Sequence, residues 1–450
     1  MSGSNPGLTV LMCALCGSLG WGLRGVFGGQ SGAMVPGALM GLGIAAAVAR
    51  FGLGVDAPRL AAVGAAAFSI GGVTTYGQTL GLVHNSPRPA TYWWGVLGCF
   101  IKGGLWFGIG TACFGLYLNG HFARPVGVSM LALAAGIAGI IGRRLINEPL
   151  DPPHRYPRIY FSRRALEGED LAKDPPRRES WGGLLFGLLT LCIGAWIGLG
   201  DGYVALMGLV GFCGGAVGFS VGEMIQAKGI WGPDGQRRKC PWMDWWKVME
   251  MTFGLIGGAA VGAAVLMAHS TWWHVLVRPA SPVPDAVPWA LAALWLVPLL
   301  AAVNGNRAAG KLYDLPMLSG MVMFAACALP GPSGLLLAGG FVFYVSGLSC
   351  LHRWQKSLNR RATLLWHLVL VSLTGVSLAF MGLISEPWKL VLWVGLSQTV
   401  ISFVKALGER EAGGLRERLG SLGAGWPVHA SFLVLTAAAC ILASLLQGGA

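Results

Sequence analysis

The chain has 450 residues, of which 54% are hydrophobic and 11% charged, and its formal net charge is +13. Soluble domains carry about a quarter charged residues, so a soluble protein of this length is excluded. Its 71 Gly follow no Gly-X-Y period, which excludes collagen, and the apolar content excludes a disordered chain.

Apolar stretches of roughly 17–25 residues, the length that crosses ~30 Å of hydrocarbon, recur along the whole sequence. In chain order they lie near 7–25, 33–52, 60–83, 91–119, 125–142, 181–199, 203–226, 244–268, 287–304, 315–330, 334–351, 364–384, 388–405 and 427–447. They predict an all-α polytopic integral membrane protein of about fourteen transmembrane helices (~12–14), packed through Gly-rich faces. The pair 315–330 and 334–351 is short enough to read as one re-entrant hairpin instead. The segment 20–32 is so Gly-rich that a tight turn or a broken, partly re-entrant stretch is expected there.

Positive charge orients the spans. Most of the 32 Lys and Arg fall at odd-numbered connections, above all in the basic loop 143–180. Even-numbered connections hold only Arg50, Arg59, Arg124, Arg278 and Lys389. The positive-inside rule therefore puts the odd connections in the cytoplasm and both termini outside, in the inner membrane if the host is bacterial. This placement accounts for the net charge without nucleic acid. The first residues lack a basic region, so a retained first span is expected rather than a cleaved signal peptide.

Two bundles are expected, 1–268 and 287–450. Within the first, Gly77-Gln78 followed by Tyr92-Trp93-Trp94 resembles Gly222-Glu223 followed by Asp244-Trp245-Trp246, and Ala38–Leu42 recurs as Ala205–Leu209. Spans 3 and 7 run the same way, so 60–119 and 203–268 read either as a parallel internal repeat or as chance recurrence in Gly- and Ala-rich sequence.

Ionisable groups inside spans cost ~2.5–3.5 kcal/mol by insertion scales, and each asks for a partner or a wet cavity. Lys102 is expected near mid-depth, ~16 Å along span 4. Glu223 and Glu250 fall in the cytoplasmic half, near the level of Arg24, Gln78, His84, Asn85 and Gln226. These positions suggest a cytoplasm-facing polar cavity with Lys102, Glu223 and Glu250 as its charged core, so that Lys102→Met would abolish activity with folding intact. The alternative is that the two Glu reach the interface and Lys102 makes one structural ion pair. Arg24, flanked by Gly22 and Gly25, is either an anion-binding group or the basic anchor of span 1. The loop 143–180 is read as a solvated topology determinant, a lipid-headgroup contact or a lid.

Catalytic signatures such as GxxxxGK[ST] and HExxH are absent from the sequence. Cys13 and Cys16 form a CxxC at membrane depth with no second pair, which suits packing, so neither a metal site nor a cofactor is predicted. The leading functional expectation is a transporter moving a small polar or anionic solute, with proton coupling. A membrane-embedded transferase on a lipid-linked or acyl substrate, and a non-catalytic subunit of a membrane complex, remain open. Partners expected are the bilayer, the solute or lipid-linked substrate, and further copies of the chain or other subunits.

Overall fold

A computed structural model describes residues 6–49, 51, 55–72, 76–84, 89–151, 154–162, 176–231, 243–272, 320–321, 324–325, 327–328, 386–408 and 426–448. The described residues are helical, with no strand among them beyond an isolated Asp151–Arg155 bridge. In chain order the helices are α1 (Gly7–Phe27), α2 (Gly29–Ala49), α3 (Ala57–Gly71), α4 (Gly77–His84), α5 (Pro89–Leu118), α6 (Pro125–Asn147), α7 (Trp181–Leu199), α8 (Gly202–Ile230), α9 (Trp245–Trp272), α10 (Pro387–Gly408) and α11 (Trp426–Gly448). Among the described residues, 8 helices are long and apolar enough to cross a bilayer: α1, α2 from Gly32, α5, α6, α7, α8, α9 to Met267, and α11.

Surface chemistry agrees with that count. One face of α6 exposes Val126, Met130, Leu133, Ile137 and Ile141, and α7 exposes Leu189, Ile193, Trp196 and Ile197. An apolar stripe of this length is a liability in water and the ordinary outer surface of a helix in lipid. The chain is an integral membrane protein.

Inside, glycine sets the helix spacing. At four crossings two glycines face each other: Gly17 with Gly254, Gly37 with Gly64, Gly103 with Gly215, and Gly142 with Gly182. A Cβ on either member would collide with the carbonyl oxygen of the other. Lipid tails provide no hydrophobic drive between helices, so close backbone approach supplies the dispersion contact that holds the pairs. The pairs so joined are α1 with α9, α2 with α3, α5 with α8, and α6 with α7. An aromatic core lies between them, where Trp21 meets Trp106 and Phe253 with centroids 4.6 and 4.4 Å away, and Phe219 stacks on Phe253 at 4.6 Å. Cys13 and Cys16 are buried free thiols within α1.

The structure corrects two local expectations. Residues 20–27 are regular helix despite their glycines, and the turn is confined to Gly28 and Gly29. Both have positive φ, 71° and 56°, which only Gly adopts without cost. The stretch 60–83, read as one span, is two helices, with α3 ending at Gly71 and α4 beginning at Gly77. Trp106 stabilises that ending. Its indole occupies the space a side chain at Gly71 would need, and its Nε1–H donates to the Phe68 carbonyl at 2.7 Å. Phe68 lies in the last turn of α3, where carbonyls have no intrahelical donor.

The spans expected at 287–304, 334–351 and 364–384, and most of 315–330, lie outside the described residues. So do Asn85 and the turn around Pro233. The two matched stretches differ in form, since Gly77-Gln78 opens a helix and Gly222-Glu223 lies inside α8.

Candidate functional site

Buried charged groups on α1, α4, α5, α8 and α9 form three clusters. The first joins α1 to α9. Arg24 Nη1 lies 3.3 Å from Glu250 Oε1, and Lys247 Nζ lies 2.8 Å from Glu250 Oε2. The Arg24 guanidinium sits 4.5 Å from the Tyr76 ring centroid, 5.3 Å from Trp106 and 5.8 Å from Trp21. Such faces attract a desolvated cation. Gly25 is required locally, because a Cβ there would overlap the Glu250 carboxylate and the Lys247 amine.

The second cluster joins α4 to α8. Glu223 is fully buried, and its Oε1 lies 2.8 Å from His84 Nδ1. Among the described residues its Oε2 has no hydrogen-bond partner, nor has Gln226 Oε1. Positions three apart on a helix share a face, so both acceptors, without donors among the described residues, lie on one face of α8.

The third cluster is centred on Lys102. Its ammonium donates to Glu179 Oε1 at 2.5 Å, Thr79 Oγ1 at 2.7 Å and Ser162 Oγ at 3.3 Å. Glu179 also accepts from Ser162 Oγ at 2.7 Å and from the Phe161 backbone N–H at 3.1 Å. Both partners are buried. Three donors on the ammonium meet three acceptors, which is what a charge removed from water needs.

Lys102, Glu223 and Glu250 therefore have separate side-chain partners: Glu179 for Lys102, His84 for Glu223, and Arg24 with Lys247 for Glu250. Gln78 belongs with the third group, its Oε1 accepting from the Arg177 backbone N–H at 3.2 Å. The described parts of the loop 143–180 are docked against the helices. The Trp94 indole donates to the Tyr160 carbonyl at 3.1 Å, and the Tyr160 hydroxyl donates to the Arg177 carbonyl at 2.7 Å. Phe161 packs between Trp94 and Trp181.

Glu179, Lys247, Thr79 and Ser162 were not singled out from sequence. A trail to Glu179 existed, since a buried Lys demands a carboxylate and only 19 acidic residues are available. Thr79 and Ser162 carry no sequence signal, and Lys247 falls in the first turn of the expected span 244–268.

At the N-terminus of α8, Asp201 accepts from Asn119 Nδ2 and His121 Nε2, each at 2.7 Å, and from the Tyr203 N–H at 2.9 Å. Half-burial pushes its carboxyl up, but hydrogen bonds from His121, Asn119 and Tyr203 outweigh this and hold it below its ordinary value. Among the described residues no group of three or more His, Cys, Asp or Glu could hold a metal ion.

No protein-family model, no curated protein and no solved structure matches this chain.

Proposed function

We propose that this protein is a multi-pass transporter that moves a small polar or anionic solute together with protons. The carrying observation is Glu223, a buried carboxylate held on one oxygen by His84, with the other oxygen unpartnered among the described residues on the helix face that carries Gln226. An unfilled acceptor pair in a dry interior is a place for a proton or a donor-bearing solute to bind. The interruption between α3 and α4 supports the same reading, because interrupted spans expose backbone and polar side chains at membrane depth in many secondary transporters. In this scheme the loop segments held by Lys102 and Glu179 act as a gate at the basic end.

The accompanying topology has about fourteen spans in two bundles, 1–268 and 287–450, with both termini outside and the loop 143–180 in the cytoplasm. A parallel repeat relating 60–119 to 203–268 would put Gln78 and Glu223 at matching positions. Assembly with further copies of the chain fits the same scheme.

A second reading, a membrane-embedded transferase on a lipid-linked substrate, has the Arg24 guanidinium beside Glu250 in its favour.

The test is reconstitution of the full chain into liposomes carrying an internal pH dye, with small carboxylates, phosphate and amino acids added outside in turn. Solute-dependent proton movement that Glu223→Gln abolishes is expected. Failure of every solute to move protons, or an unaltered response in the variant, overturns the reading.

A further inference from the structure

Among the described residues, charge in the α1–α9 cluster does not balance. Arg24 and Lys247 are two cations on one carboxylate, Glu250, and Arg24 and Glu250 are each about 2% exposed. Arg24 is also poorly used. Guanidinium–carboxylate pairs are commonly bidentate with bonds of about 2.7–2.9 Å, whereas Arg24 reaches Glu250 through Nη1 alone at 3.3 Å. Its buried Nε has no hydrogen-bond partner among the described residues. The guanidinium carbon lies over the Trp21, Tyr76 and Trp106 rings, which are not acceptors for its in-plane N–H groups in the way an oxyanion is.

Arg24 lies one turn before the end of α1, and among the described residues nothing stands within 4 Å of where side chains at Gly28 or Gly29 would project. Glu250 meanwhile fills the niche against Gly25 that bridges the two cations.

We propose that Arg24 and Lys247 form a binding site for a small oxyanion, a carboxylate or phosphate group, with Glu250 as the internal carboxylate that occupies it in part when it is empty. The entering group takes two oxygens to the Nε edge of Arg24 and neutralises the surplus cation. This inference deepens the transport reading by naming the solute class and rests on that reading only in making the anion the solute carried.

The test reads binding, not transport, so the two can fail separately. Thermal unfolding of the full chain in phosphatidylcholine nanodiscs is followed with inorganic phosphate, with acetate, and with phosphatidic acid in the bilayer. A saturable rise in Tm with phosphate or acetate identifies a free solute, and a rise with phosphatidic acid alone identifies a lipid headgroup; either supports the site. Arg24→Gln and Lys247→Gln should each weaken the response about tenfold or more, the equivalent of one charge-assisted bond. If Arg24→Gln does not fold, Lys247→Gln decides. No rise with any of the three anions, or an undiminished rise in the decisive variant, overturns the proposal.

Discussion

Lys102 on α5 and Glu179 in the approach to α7 form a buried ion pair, Nζ to Oε1 2.5 Å, that ties a loop into the helical bundle. Removing one partner of a buried pair strands the other charge, a loss of about 3–5 kcal/mol. Lys102→Met is therefore expected to destabilise the protein, contrary to its reading from sequence as a loss of activity with folding intact. The double variant Lys102→Met with Glu179→Gln should recover much of the loss. Unfolding in mild detergent measures both; a single variant as stable as the parent would remove the pair from the fold's support.

Glycine crossings predict a contrast between two similar changes. Gly103→Ala sets a methyl against the Gly215 carbonyl and Phe219, so α5 and α8 must part, at about 1–3 kcal/mol. Gly127→Ala on α6 meets only Leu199 at ordinary contact distance, 3.7 Å. It should be neutral or stabilising by up to about 1 kcal/mol from helix propensity. Melting temperatures of the two variants should move in opposite directions or differ clearly.

Glu223→Gln separates stability from function. The new amide supplies N–H donors on the face of α8 that carries Gln226 Oε1, an acceptor without a partner among the described residues. Its Tm should equal or exceed that of the parent, while proton-coupled uptake falls at least tenfold. A variant that melts early would show the carboxylate to be structural.

The Asp201 latch gives a pH dependence with a definite sign. Its folded pKa lies below the ordinary 3.8, so its contribution is complete above that value and is lost as pH falls through the lower, folded one. Asp201→Asn should lose stability at neutral pH and show a shallower decline in acid than the parent. Parallel declines in melting temperature below about pH 4 would sink this assignment.

The expected span 181–199 coincides with α7, and 91–119 differs from α5 by one or two residues at its ends. These elements were legible because lipid imposes a local rule: a backbone in hydrocarbon must satisfy itself, and only a long apolar helix does so. The Gly28–Gly29 turn was legible in part, since glycine content marks a permissive region and not the residue at which the chain turns. Arg24, Gln78, Lys102, Glu223 and Glu250 could be named as unusual because charge and amide groups at membrane depth are costly wherever they occur.

Which of them meet was beyond the sequence. Lys102 selects Glu179, 77 positions away, and Arg24 selects Glu250, 226 positions away. Neither choice follows from spacing, because helix crossings at Gly17–Gly254 and Gly103–Gly215 decide which faces touch. The interruption between α3 and α4 likewise depends on Trp106, a side chain from another helix that supplies the donor Phe68 needs. Apolar length is a property of each segment, so the sequence determined that the chain lives in a membrane and where most described helices run. The pairing of charges is a property of distant segments brought together, and only the tertiary structure decided it.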